Sequence, residues 1–364
     1  MPGASEPAGP RRRIPGLDGL RAVAIFLVIA AHLRATPGFP ARLGDARFYD
    51  GSLGVEIFFV ISGFLITSLL LDEEDRSGRI GLTGFYWRRA LRILPAALTY
   101  LAAVALVDVT FRPVVPIGDI LAAMTFCRNL FGDSHLTGHF WSLSVEEQFY
   151  LVWPLGFLFI PARLRLKVTL ALFAFAPLWR VFNLDVLHPP SGLNLGRADL
   201  HYDTLDAGVI LALARKTPRG QDLYALALRH GAALLAGALA ALAALQAFVP
   251  RDWFLTMTLR DAILAAVVLA VITDPGRLAR VALDLPPVRL VGRLSYSLYL
   301  WQQLFTYWWE LGDAWFARFP ANFACILVVS AASYYLVERP VLAWRDLRAR
   351  GPRSRTELHA ELRA

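Results

Sequence analysis

Ten long apolar segments recur along the chain, at about residues 17–35, 52–71, 93–110, 141–160, 166–183, 201–214, 229–249, 254–273, 290–311 and 321–338. In hydrocarbon every backbone amide must find its partner within protein, so runs of this kind cross a bilayer as helices. A closed barrel would need short strands of alternating polarity, whereas these segments are unbroken and rich in Leu and Ala. The expected fold is therefore all-α, a polytopic membrane helix bundle of about ten transmembrane helices. With 56% hydrophobic and 18% charged residues and a mean hydropathy of +0.48, the chain has little polar surface for a soluble domain.

The net charge of +8 comes almost wholly from arginine and sets orientation; it is not read as a nucleic-acid surface. Basic clusters at 11–13, 76–92, 163–167, 215–219, 277–289 and beyond 345 are all cytoplasmic with ten spans, which places both termini in the cytoplasm. Counting the shorter apolar stretch 117–131 as an eleventh span would break this pattern, so a re-entrant or surface helix is expected there. The division is then a basic cytoplasmic N-terminus (1–13), a membrane domain (14–344) and a basic tail (345–364) expected to be disordered or to lie on the membrane surface. The N-terminus has the basic start of a signal peptide without a clear cleavage site, and an uncleaved first span is expected. Cys127 and Cys325 suggest neither a disulfide framework nor a metal site.

Against this apolar background a few polar residues stand out. Arg21 and His32 are eleven apart, three helical turns plus about 20°, so they share one stripe of the first span roughly 16 Å apart along its axis. Charged and titratable groups at membrane depth face a cavity or a partner. On the ten-span topology Arg21 lies toward the cytoplasm and His32 toward the outside, where a neutral imidazole can take a proton from a hydroxyl. A histidine that caps a helix end or meets a neighbouring carbonyl is the plainer alternative. Glu56 lies just inside the outer end of the second span. The run Trp141-Ser-Leu-Ser-Val-Glu-Glu-Gln-Phe-Tyr150 brings Ser142, Glu146, Glu147 and Tyr150 to the outer end of the fourth. Capping by Ser142 with Glu146 explains part of this run; a carboxylate that orients His32 explains more, with Glu146 ahead of Glu147. Gly63 and Ser62 are small residues suited to close helix packing. At the other surface Arg89 and Arg92, three apart in Phe85–Pro95, share a helical face and can grip phosphate together, or serve simply as positive-inside anchors. The aromatic stretch 301–315, with Tyr307, Trp308 and Trp309, is either an interfacial belt or a surface for stacking sugars.

Taken in order, these segments resemble the acyltransferase 3 family of integral-membrane O-acyltransferases. The likeness rests on Arg21-x10-His32, the segment Gly54 to Gly63, Arg89-x2-Arg92, Trp-Ser-Leu-x2-Glu at 141–146, Gly292-Arg-Leu-Ser-Tyr-Ser-Leu-Tyr-Leu-Trp301 and Tyr335-Leu-Val-Glu-Arg-Pro340, and it covers about residues 14–340. The resemblance implies transfer of an acyl group, usually acetyl, from cytoplasmic acyl-CoA to a hydroxyl of a cell-surface glycan, lipid-linked sugar or glycosylated metabolite. It implies His32 as the catalytic histidine with Arg21 as its motif partner, Ser142 and Glu146 in the active-site wall, and Arg89 with Arg92 as contacts to the CoA end of the donor. Glu56, Trp141, Ser142, Glu147, Tyr150 and Asp203 would line the active site. Partners would be acyl-CoA, acetyl-CoA above all, the glycan acceptor and membrane lipid, with no metal and no nucleic acid, in a bacterial inner membrane.

Two departures from the family pattern stand out. Gln302 and Gln303 stand where many relatives have His, and His201 precedes the Asp203-x4-Gly208 pattern where Arg is common; both are expected to bear on acceptor recognition. Since the sequence ends soon after the tenth span, action through the membrane domain alone or with a separate partner is expected. The competing class is a proton-coupled transporter or flippase with Arg21, His32, Glu56 and Glu146 as an ion relay.

Overall fold

The structure, a computed structural model, describes residues 14–40, 50–111, 115–183, 198–250, 255–307 and 314–349, and these contain no β-strand. The helices are α1 (Leu17–Leu33), α2 (Gly51–Ser77), α3 (Leu82–Phe111), α4 (Ile117–Met124), α5 (His135–Gly138), α6 (Phe140–Phe159), α7 (Ala162–Val181), α8 (Tyr202–Ala214), α9 (Pro218–Phe248), α10 (Thr256–Thr273), α11 (Arg277–Asp284), α12 (Pro286–Thr306), α13 (Ala321–Ser333) and α14 (Arg339–Ala349). A π-helical segment, Tyr334–Glu338, joins the last two. Each of the ten apolar segments is helical over most of its described residues. Five helical stretches among the described residues, 51–77, 82–110, 218–248, 256–273 and 321–348, are long and apolar enough to cross a membrane. The N-terminus 1–13, the tail from 350, the stretch around His188 to Gly196, and Trp308 and Trp309 lie outside the described residues.

Local chemistry sets the helix limits. Asp50 caps α2 by accepting from the Ser52 and Leu53 amides, and Gly78 ends it at φ +66°, a conformation without penalty only for glycine. Thr217 caps α9, whose first residue is Pro218, where a missing N–H costs nothing.

The helix that carries Arg21 and His32 lies at the centre. α1 packs between α2 and α12, and glycines allow the approach: a Cβ on Gly54 would fall 2.5 Å from the Ala24 carbonyl, and one on Gly292 1.8 Å from that of Asp18. α2 and α8 are locked reciprocally, since a Cβ on Gly63 would lie 2.0 Å from the Leu205 carbonyl and one on Gly208 2.0 Å from that of Val60. The packing role expected for Gly63 is thus observed. Contacts along each pair fix direction. Arg21 meets Ser295 and His32 meets Gln302, so α1 and α12 run the same way. Ser62 meets Tyr150 and Thr67 meets Trp153, so α2 and α6 do as well. α9 lies outermost, with its Ala/Leu run largely uncovered.

The segment 115–139 folds over one end of the bundle. α4 is only about 12 Å long, far short of a bilayer's apolar thickness of about 30 Å. Buried Arg128 holds the segment together. It donates to the carbonyls of Phe131 and Ser134 and to the Thr137 hydroxyl at 2.9–3.0 Å, while Asp119 accepts from the Asp133 and Ser134 amides at 2.8 and 2.6 Å. This is the short structured piece, not a span, that the charge pattern predicts.

Candidate active site

Polar side chains form a column through this apolar bundle, and it has two ends. At the cap end stands His32, half-buried on the last turn of α1. The Val28 carbonyl one turn back and the Gln302 side chain face its ring, and the Tyr307 ring lies 5.9 Å away. Nδ1 is buried and completes no hydrogen bond among the described residues. The imidazole of His139, at the head of α6, is in electrostatic contact with it. His139 is buried between the rings of Tyr100 (5.1 Å) and Tyr299 (5.5 Å), and its carbonyl accepts from the Tyr299 and Ser142 hydroxyls at 3.1 and 3.2 Å. Ser142 and Tyr299 also bond each other. Trp141 lies beside them with its ring 5.2 Å from His201.

The other end is a cluster of arginines and acids. The Arg21 guanidinium donates to the Ser295 hydroxyl at 3.2 and 2.9 Å and faces Glu146 and Arg92. Glu146 in turn faces Arg21, Arg89 and Arg92 and meets the Ser62 hydroxyl, which bonds Tyr150. Arg89 lies over the Tyr150 ring, 5.1 Å from its centre, and faces Glu146 and Glu147. Glu338, from the π-helical segment, bonds Ser297 and faces Arg92 and Arg21. Arg21, Arg89, Glu146 and Glu147 are half-buried and Arg92 is exposed, although α1, α3, α6 and α12 all supply their contacts. Side chains that keep accessible surface while helices supply their contacts sit at an edge of the bundle and not in its core. Arg21, Arg89 and Arg92 there face the acids Glu146, Glu147 and Glu338, and guanidinium forks match phosphate oxygens as well as carboxylates.

The structure departs from the expected arrangement of the acids. Glu146 does not reach His32. Its opposite charges are at the arginine end, and a carboxylate at membrane depth stays with its counter-ions. Arg21 likewise belongs to that end and makes no contact with His32. Glu56 also turns away: it is 3% exposed and bonds Arg260 of α10, which reaches Asp50 at 3.5 Å. Asp203 is fully buried in a separate network, bonded to Arg180 of α7 and accepting from the Thr258 hydroxyl at 2.7 Å. Ser142, Trp141, Tyr150 and Glu147 do line the column. Sequence reasoning passed over His139, Ser295 and the partner arginines Arg180 and Arg260. The last two carried a signal, since each is a full charge inside an apolar segment.

A helical chain with buried charges meeting across an apolar bundle and a column of polar side chains inside it has the character of a membrane protein. A family model described as an acyltransferase domain matches residues 14–339, and the chain belongs to this acyltransferase 3 family. It is 29% identical over 91% of its length to the peptidoglycan O-acetyltransferase OatA of Listeria monocytogenes, covering 56% of that protein. It is 30% identical over 80% of its length to the O-acetyltransferase OatA of Staphylococcus aureus, covering 50% of it. The chain thus spans about half the length of the curated relatives it matches. No solved structure matches.

Proposed function

We propose that this chain is a membrane O-acyltransferase of the bacterial inner membrane, moving an acetyl group from acyl-CoA to a hydroxyl of a glycan. The observation that carries this reading is the polar column, with Arg21, Arg89 and Arg92 at one end and the His32 imidazole at the other. Arg89 and Arg92, with Arg21, hold the phosphates of the CoA moiety at the cytoplasmic surface. The pantetheine arm enters along Tyr150, Ser142 and Tyr299 and presents the thioester to His32. The acceptor hydroxyl gives its proton to His32 as its oxygen forms the new ester bond to the carbonyl carbon. The C–S bond then breaks, and the leaving thiolate recovers that proton as the CoA thiol. Positioning two substrates in a dry column supplies much of the rate, and one placed base contributes about 10²- to 10⁴-fold.

The helix directions support ten crossings with both termini in the cytoplasm, because the parallel pairs α1 with α12 and α2 with α6 are spans of like parity. The names of the relatives support a glycan acceptor of the peptidoglycan kind, and they favour transfer over a proton-coupled transporter. The test is thiol release from acetyl-CoA by purified protein, with and without glycan fragments. Wild-type protein releases thiol with acetylated glycan as product. His32→Ala abolishes both while eluting as a single species. Transfer by His32→Ala at the wild-type rate would refute the assignment.

A further inference from the structure

Of the two glutamines that interrupt the family pattern, Gln302 lies beside His32 and Gln303 beside Gln302. Gln302 is fully buried and Gln303 nearly so. Their amide orientations follow from an outside anchor. The His135 carbonyl can only accept, so the group that meets it at 2.6 Å is the Gln303 amide nitrogen. The Gln303 oxygen then points to Gln302, which donates to it from its own nitrogen at 3.1 Å. That leaves the Gln302 oxygen directed at His32, and it has no other partner among the described residues. His32 Nδ1 is the matching buried atom without a bond.

We propose that Gln302 is a positioning residue for His32: its side-chain oxygen, held by the chain through Gln303 to the His135 carbonyl, fixes the imidazole with its proton on Nδ1 and its Nε2 lone pair toward the acceptor. The proposal rests on the acyltransferase reading for its kinetic consequences and on geometry for the tautomer. Both polar groups that face the ring, the Val28 carbonyl and the Gln302 oxygen, accept hydrogen bonds and cannot donate. They require an N–H between them and leave the second nitrogen free to act as base. A neutral amide does this work here in place of the carboxylate common beside catalytic histidines. It steadies the imidazolium formed during transfer without holding the ring protonated beforehand. The other titratable groups facing His32 are His139 at the head of α6 and Tyr307 after α12; no carboxylate faces it among the described residues. Since the anchor is a carbonyl of α5, the cap over the bundle's end sets the orientation of the base.

The experiment compares Gln302→Leu, Gln302→His and Gln302→Glu in the full chain. Gln302→Leu should lower kcat on the order of 10- to 100-fold, the loss of a hydrogen bond to a charged partner, with the KM for acetyl-CoA unchanged. Gln302→His, which keeps an acceptor nitrogen, should restore most of it. Gln302→Glu places a negative charge beside the ring and should move the acid limb of the kcat profile up by about one pH unit or more. Wild-type kcat in Gln302→Leu, or an unmoved limb in Gln302→Glu, overturns the proposal. A readout independent of turnover is the nitrogen NMR spectrum of ¹⁵N-histidine-labelled protein, with the His32 signal assigned by its loss in His32→Ala. It should report protonated Nδ1 in wild type and a tautomer mixture in Gln302→Leu; the same spectrum in both overturns the proposal. Wild-type protein without transfer would refute the enzyme reading, and the spectra would still decide the role of Gln302.

Discussion

Replacing Arg260 by methionine should separate structure from chemistry among the buried acids. Glu56 is 3% exposed, and its charged hydrogen-bond partner among the described residues is Arg260, whose shape methionine roughly follows. Removing one member of a buried pair strands the other charge and costs about 3–5 kcal/mol, a hundredfold or more in the folded ratio. Removing both members with apolar residues costs far less, because the desolvation of two charges disappears with their attraction. Asp50 keeps the Ser52 and Leu53 amides in either variant. The assay is the fraction of protein that survives heating as a monodisperse species in detergent. Arg260→Met should melt well below wild type, and the double variant Glu56→Leu with Arg260→Met should recover most of the loss. Each surviving double-variant molecule should transfer acetyl at close to the wild-type rate, since neither residue touches His32. Equal melting of single and double variants would refute the pairing argument, and a folded but inactive double variant would return Glu56 to the chemistry.

Two further outcomes follow from the geometry. Arg89→Ala with Arg92→Ala should raise the KM for acetyl-CoA on the order of tenfold or more while leaving transfer from acetyl-pantetheine, which lacks the nucleotide phosphates, near wild type; equal losses for both donors would remove the phosphate role. Gly208→Val should prevent assembly, because its Cβ would fall 2.0 Å from the Val60 carbonyl and 2.6 Å from the Phe64 nitrogen, whereas Gly237→Val, with nothing within 4 Å, should express and elute normally.

The parts of this molecule that depend on position along one helix were readable before any coordinates. Arg21 and His32 do share a stripe of α1, and residues 117–131 do fold as a short structured piece. What escaped was lateral. Glu146 and His32 share neither helix nor sequence neighbourhood, and depth alone placed them together. Packing set the tilt and the turn that give Glu146 to three arginines. Glu56 finds Arg260 at a separation of 204 residues, a pairing that hydropathy cannot supply because it ranks segments without saying which ones touch. Gln302 was visible as a departure from pattern, yet its meaning required knowing that α12 runs alongside α1.

Arg128 gives the cap a property that matters beyond its own loop. Its guanidinium is committed to oxygens along a single short loop, and Asp119 ties the same loop by its amides. Unravelling this segment would break all of these at once and bare a full charge, so it keeps its shape as one unit. The His135 carbonyl that this unit offers to Gln303 is therefore a fixed point, and the side chains beside His32 are registered against the cap and not only against their own helices.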